Sequence, residues 1–173
     1  MTTVEEAPDR LLAAARPLVV RYCRARLGTP DADDVAQDVC LAVLKALPGR
    51  PPERPFPNFV AGIARYKVAA ARKAAARQHD EPVADPPDAI DVSMDPELHA
   101  LRRELGERMA KLLQVLPEKQ REIVVLRVVV GLSAEETAAA VGSTPGAVRV
   151  AQHRALGQLR KVVTDAAGAH SGG

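Results

Sequence analysis

Tryptophan is absent from this chain of 173 residues, and aromatic residues make up only 2% of it. A core without large rings must be built from Ala, Val and Leu, and such residues suit helix packed on helix. Only Cys23 and Cys40 carry thiols, far apart in sequence and without CxxC spacing. That excludes a zinc motif or a disulfide-stapled scaffold, and both read as small helix residues in a reducing compartment. No apolar run reaches membrane length and no secretory leader is recognisable, so the expectation is a cytoplasmic protein without membrane insertion. His79, His99, His153 and His170 are scattered, with no nucleophile, metal or phosphate-loop motif beside them. An enzyme is therefore a remote reading, and no cofactor is implied. Asp31 and Asp33 begin like a calcium loop, but Ala36 stands where the turn needs Gly and Ala42 where the loop needs Glu. Strand-like alternation and repeats are missing as well.

One sign of charge is missing where it is most informative. From Thr144 to Thr164 there is no Asp or Glu, while Arg149, His153, Arg154, Arg160 and Lys161 are basic. The preceding residues set this segment up as the last helix of a helix-turn-helix. Leu116-Pro117-Glu118 opens a helix with Pro in its first turn, and Ile123, Val124, Leu126, Val129 and Val130 give it one wide apolar face. Gly131 ends it. Ser133 with Glu136 forms a capping-box pattern for a short helix over Ala134 to Val141. Gly142 breaks that helix, Thr144 caps the next, and Pro145 takes its first position. Short helix, Gly turn and capped basic helix point to duplex DNA. In that geometry Arg149 and Arg154 suit guanine edges or phosphates, and Gln152 suits adenine.

The remainder reads as more helix. Leu11, Leu12, Ala15, Leu18, Val19, Tyr22 and Cys23 follow helical spacing, with Pro17 placed to kink or split the segment. Asp31 is expected to cap a helix over Ala32 to Ala46. Leu47 to Pro55 is a Pro-rich loop that should not be helical, and Asn58 to about Arg77 is helix again. Asp80 to Asp95 is rich in Asp and Pro and lacks Lys and Arg, which suits an extended acidic linker. Asp95-Pro96 restarts order, and Leu98, Leu101, Leu105, Met109, Leu112 and Leu116 mark one expected buried stripe. The expected fold is all-α: two small helical domains, 9–78 and 96–164, joined by a flexible acidic linker at 79–95, with a loose tail at 165–173.

In the second helix Asp34, Gln37, Asp38, Leu41 and Lys45 lie opposite the apolar stripe. Acids and an amide beside an exposed Leu suit a basic partner, although on physics alone a solvated helix surface is the better reading. After the Pro-rich loop, Phe56, Asn58 and Phe59 lead into a helix bearing Arg65, Lys67, Arg72, Lys73 and Arg77 and no acid. Aromatics beside a basic helix can stack unpaired bases. Phe59 is better read as core, and Tyr66 as exposed.

These residues together resemble the extracytoplasmic-function (ECF, group IV) sigma factors of the sigma-70 family. Asp31-Ala32-Asp33-Asp34-Val35-Ala36-Gln37-Asp38-Val39 resembles their region 2.2 motif. Phe56-Pro57-Asn58-Phe59-Val60 with Ile63-Ala64-Arg65 is similar to regions 2.3 and 2.4. Leu116 to Glu122, Gly131 to Glu136, and Gly146-Ala147-Val148-Arg149 with His153-Arg154-Ala155 are similar to region 4. The Ala-, Arg- and Pro-rich composition resembles the actinobacterial, sigma-D-like group. The chain departs from the family pattern at Cys40, Leu44, Phe59 and Tyr66, and Val150 and Ala151 replace Ser and Arg in the recognition helix. The resemblance implies an initiation factor for core RNA polymerase, with no bond chemistry of its own. Asp34, Gln37, Asp38 and Leu41 would dock on the β′ clamp coiled coil, and the second domain would meet the β flap. Thr144, Ala147, Arg149, Val150, Gln152, His153 and Arg154 would read the −35 duplex. Arg50, Arg54, Phe56, Asn58, Phe59, Arg65, Tyr66, Lys67, Arg72 and Lys73 would melt and hold the −10 element around a flipped base. The acidic linker would thread the polymerase channels, and the resemblance leaves room for an anti-sigma factor. The alternative is a dimeric helix-turn-helix regulator that needs no polymerase.

Overall fold

Proline and glycine set the helix boundaries in the computed structural model, which describes residues 8–28, 30–78 and 95–171. The expected linker lies outside these residues except for Asp95. Helix α1 spans Pro8–Leu27 without interruption, with Pro17 inside it on an exposed face. Helix α2 is Asp31–Ala46, and α3 is Phe56–Arg77. Helix α4 is Pro96–Leu113, α6 is Ala134–Val141 and α7 is Pro145–His170. Helix α5 begins as Glu118–Val124 and continues as a wider π-type turn over Val125–Val130. No strand occurs among the described residues.

Several expectations need correcting. Asp31 is the first helical residue of α2 rather than its cap; the cap position is Pro30, with no side-chain bond. Leu47–Gly49 forms one 3-10 turn, since Pro48 lies where a first turn needs no N–H. The tail expected from 165 is helical to His170, because Ala166, Ala167 and Ala169 favour helix and no proline intervenes. The leucine stripe of α4 is the largest departure: Leu98, Leu101, Leu105 and Met109 are exposed. The face that packs is marked by buried Gly106, where a side-chain Cβ would come within 3.2 Å of the Arg24 Cβ. The absent side chain lets α4 approach α1 closely, and that rotates the leucines outward.

The two helical halves share one apolar core. Ala15, Val19, Tyr22, Cys23 and Ala25 of α1 are buried, with neighbours in α2, α3, α4 and the end of α5. The same core continues through Val39, Val43, Phe59 and Val68 on one side and Leu113, Leu116, Val125, Leu126, Leu132 and Ala155 on the other. A smaller cluster of Ile123, Ala134, Ala138 and Val148 holds the helix-turn-helix. Small residues leave their mark: Ala14, Ala61 and Ala64 help line an apolar cleft of about 180 Å³ between α1, α3 and Val130.

Candidate nucleic-acid interface

The recognition helix is positioned by local chemistry that the sequence states openly. Gly131 (φ 85°) and Gly142 (φ 66°) take left-handed conformations that turn the chain between helices. Ser133 Oγ accepts from the Glu136 N–H at 3.0 Å, and Glu136 Oε2 accepts from the Ser133 N–H at 2.9 Å. Thr144 Oγ1 accepts from the Ala147 N–H at 3.2 Å. Val148 and Ala155 are fully buried and anchor α7. That leaves Thr144, Ala147, Arg149, Val150, His153 and Arg154 exposed on the opposite side.

Two side chains of this face are already engaged. Arg149 Nη2 donates to Glu135 Oε1 at 3.0 Å across the turn. The Glu135 carboxyl is held below the usual glutamate range, first by its own backbone N–H at the α6 N-terminus and then by Arg149. Gln152 is half-buried, and its Oε1 accepts from Arg127 Nε at 2.8 Å. Arg127 Nη1 also donates to the Leu132 carbonyl at 2.7 Å, tying the turn to the recognition helix. With its oxygen occupied from inside, Gln152 presents chiefly its NH₂ outward, whereas adenine needs both ends of the amide.

In the first half, Asp34, Gln37, Asp38 and Leu41 are all exposed, with Leu41 53% accessible. On α3, Phe59 is buried at 7% exposure while Tyr66 is 73% exposed. Phe56 lies half-buried 6.5 Å from Phe59, with the Arg50 guanidinium 5.9 Å above its ring. Arg50 Nη1 also donates to the Arg54 carbonyl at 2.9 Å, which braces the Pro-rich loop. Asn58 Oδ1 is buried without a hydrogen-bond partner among the described residues. Lys67 is half-buried, and Arg54 and Lys73 are exposed.

Arg65 and Arg72 have a different environment. Arg65 Nε donates to Glu122 Oε1 at 2.7 Å, and its Nη1 to the Ala140 carbonyl. Arg72 Nη1 donates to Glu118 Oε1 at 2.8 Å. The same carboxylates meet α1: Tyr22 Oη donates to Glu122 Oε1 at 2.8 Å, and Arg26 pairs with Glu122 at 3.0 Å and with Glu118. Burial, then the Glu122 charge and hydrogen bond, push the Tyr22 hydroxyl far up. Burial alone would raise Glu118, but Arg72 and Arg26 hold it below the usual range. Sequence reading missed Tyr22, Arg26, Glu118, Glu122, Arg127 and Glu135 as site residues. Their partners lie up to 100 positions away, and no local pattern signals such a contact.

Two family descriptions match the two halves: Sigma-70 region 2 over residues 11–78 and Sigma-70, region 4 over residues 106–159. The fold thus defines the class of sigma-70-type helical initiation factors. The ECF RNA polymerase sigma factor SigD of Mycobacterium tuberculosis is 55% identical over 162 residues, covering 90% of this chain and 76% of the relative. The ECF RNA polymerase sigma factor ShbA of Streptomyces griseus is 48% identical over 165 residues, covering 90% and 86%. The solved structure of CnrH in complex with the cytosolic domain of CnrY aligns with TM-score 0.67 and 27% identity, over 94% of this chain and 91% of that one. The chain belongs to the ECF sigma factors of the sigma-70 family, in the SigD-like actinobacterial group. It is a polymerase-binding factor for promoter-specific initiation.

Proposed function

We propose that the two halves divide promoter recognition, residues 9–78 serving polymerase docking and the −10 element and residues 96–164 the −35 duplex. The observation that carries this reading is that one chain exposes both an acidic docking face and an acid-free helix. Asp34, Gln37, Asp38 and Leu41 share the outer face of α2; Arg149, His153 and Arg154 share that of α7. The α2 face suits the basic β′ clamp coiled coil, and the uncovered leucines of α4 suit an apolar element such as the β flap. Arg149 and Arg154 supply donors for guanine edges or phosphate, and the Thr144 cap brings the α7 N-terminus toward the backbone. With Val150 and Ala151 apolar, direct readout falls on Arg149, His153 and Arg154.

At the −10 element, Tyr66 offers an open ring for a base, and Asn58 an unpaired acceptor beside the braced loop. Arg54, Lys67 and Lys73 suit phosphates. The ring of Phe59 is buried with the core, so its part is to support Phe56 rather than to touch a base. Catalysis belongs to the polymerase, and the protein works in the cytoplasm. The CnrH complex, with the cytosolic domain of CnrY bound, supports a protein partner for this chain besides polymerase, such as an anti-sigma factor.

Run-off transcription tests the reading. Core polymerase with this protein should initiate at promoters that core alone ignores, and Asp38→Arg should abolish that gain while leaving helical content intact. Gain of new start sites without core-polymerase binding, or binding to palindromic duplex as a dimer, would favour the conventional regulator instead.

A further inference from the structure

We propose that the cavity where α1, α3 and α5 meet binds the phosphate group of a small molecule, a nucleotide or free phosphate, with Arg26, Arg65, Arg72 and Lys119 as its cations. The cavity measures about 420 Å³, within the range that holds small organic ligands. Four cations line it against two carboxylates, Glu118 and Glu122, which leaves an excess of two positive charges. A phosphate monoester carries a charge of about −1.5 to −2 at neutral pH and balances that excess. Arg121, paired with Glu118 at 3.4 Å, registers the same excess. Burial first, and then Arg26 and Arg72 against the opposing pull of Glu118, hold its guanidinium below the usual arginine range.

The carboxylates are already saturated. Glu122 takes Tyr22 and Arg65 on Oε1 and Arg26 on Oε2. Glu118 takes Arg26 and Arg72 on Oε1 and Arg121 on Oε2. The cations keep donors to spare. Among the described residues, Arg65 Nη2, Arg72 Nε and Nη2, and the Lys119 ammonium make no hydrogen bond. Nε and Nη2 form one edge of the Arg72 guanidinium, a fork that takes two phosphate oxygens side by side. Arg26 adds a donor of another kind. Its side chain is 3% exposed, and its Nη1 has no acceptor among the described residues. A buried cationic N–H without an acceptor costs free energy, and folded proteins leave few of them. A ligand oxygen at Arg26 would supply the acceptor. Val68, Ala69 and Val141 add an apolar wall to the same cavity. Such a wall suits an organic body that carries the phosphate. Arg26 and Lys119 belong to no promoter contact proposed above, so the site stands apart from the −10 assignment of Arg65 and Arg72.

Calorimetric titration of the full-length protein at constant ionic strength tests the site with three probes: ADP, inorganic phosphate and adenosine. ADP should bind at one site and adenosine should not. ADP binding more tightly than phosphate would identify a nucleotide-like occupant, and equal affinities would assign the site to free phosphate. Lys119→Ala breaks no ion pair among the described residues and should weaken ADP about ten- to a hundredfold, as loss of a charged donor does. Arg72→Lys keeps the charge but loses the fork, and should weaken ADP in the same direction. Lys111→Ala removes one charge from the exposed side of α4 and should leave affinity unchanged. Circular dichroism and the radius of gyration from small-angle X-ray scattering should match the wild-type protein in the Lys119 and Lys111 variants, so that a lost site is not an altered fold. Failure of both ADP and phosphate to bind overturns the proposal, as does adenosine binding as tightly as ADP. Wild-type affinity in both Lys119→Ala and Arg72→Lys overturns it too, and so does an equal loss in Lys111→Ala.

Discussion

An arginine can serve a base edge, a phosphate or a neighbouring carboxylate, and the groups around it decide which. Arg149 is exposed on α7 and, among the described residues, pairs with the exposed Glu135, so DNA can claim it. Arg149→Ala should cost about 1–3 kcal/mol at a cognate −35 duplex. An equal loss on scrambled duplex in the same fluorescence titration would assign Arg149 to phosphate alone. Glu135→Gln should narrow the gap between cognate and scrambled duplex, because Arg149 loses the partner that orients it; an unchanged gap would count against that orienting role. The cysteines show how strongly setting acts on one atom. Burial, then the nearby Cys40 and Asp33, push the Cys23 thiol up to about 12, and burial raises Cys40 too. Both are protonated at neutral pH and lack the nucleophilic thiolate. Iodoacetamide should label native Cys23 far more slowly than the urea-unfolded chain; equal rates would refute that burial.

Each element owes its ends to a few residues and its facing to its neighbours. Ser133, Glu136, Thr144 and the left-handed glycines were legible as punctuation, and the bonds they make are local. Gly131→Ala should destabilise the fold by about 1–2 kcal/mol, the cost of a left-handed backbone with a Cβ. Chemical denaturation reads this directly, and no change would mean that the turn relaxes. Helix α4 shows the limit of such reading. Its leucine periodicity announced a buried stripe, yet Leu98, Leu101, Leu105 and Met109 are exposed while Gly106 is buried. Periodicity locates an apolar face but does not say whether the chain itself covers it. On α2 the spacing implies a buried stripe of Val35, Val39, Ala42, Val43 and Ala46, and it is only a partial guide: Val39 and Val43 are buried, but Ala32 and Ala36 complete the face packed on α1 and α3, and Ala46 is exposed.

At the scale of the whole molecule, carboxylates on α5 bridge two halves that a linker alone would leave independent. Glu118 is set against Arg26 on α1, Arg72 on α3 and Arg121 on its own helix. Its carboxyl is depressed in the folded protein, so its contribution is complete above the ordinary glutamate value of 4.5 and fades as pH falls through the depressed one. The difference in radius of gyration between the wild-type protein and Glu118→Gln should therefore be present at neutral pH and vanish in acid. A difference that persists in acid would show that Glu118 acts by packing rather than by charge. Raising salt should shrink it as well, since the pair with Arg72 is solvent-exposed.

The sequence by itself determined most of the helices, the caps at Ser133 and Thr144, the acid-free recognition helix and the outward acidic face of α2. These depend on neighbours within a few turns, and composition alone excluded a core of large rings. Tertiary structure decided the rest. Packing around Gly106 chose which face of α4 is covered. Meetings across 57 and 46 positions decided that Arg65 and Arg72, which look like free phosphate ligands in the sequence, find carboxylates first. A basic residue announces its charge locally, but the partner of that charge is fixed only when distant helices pack.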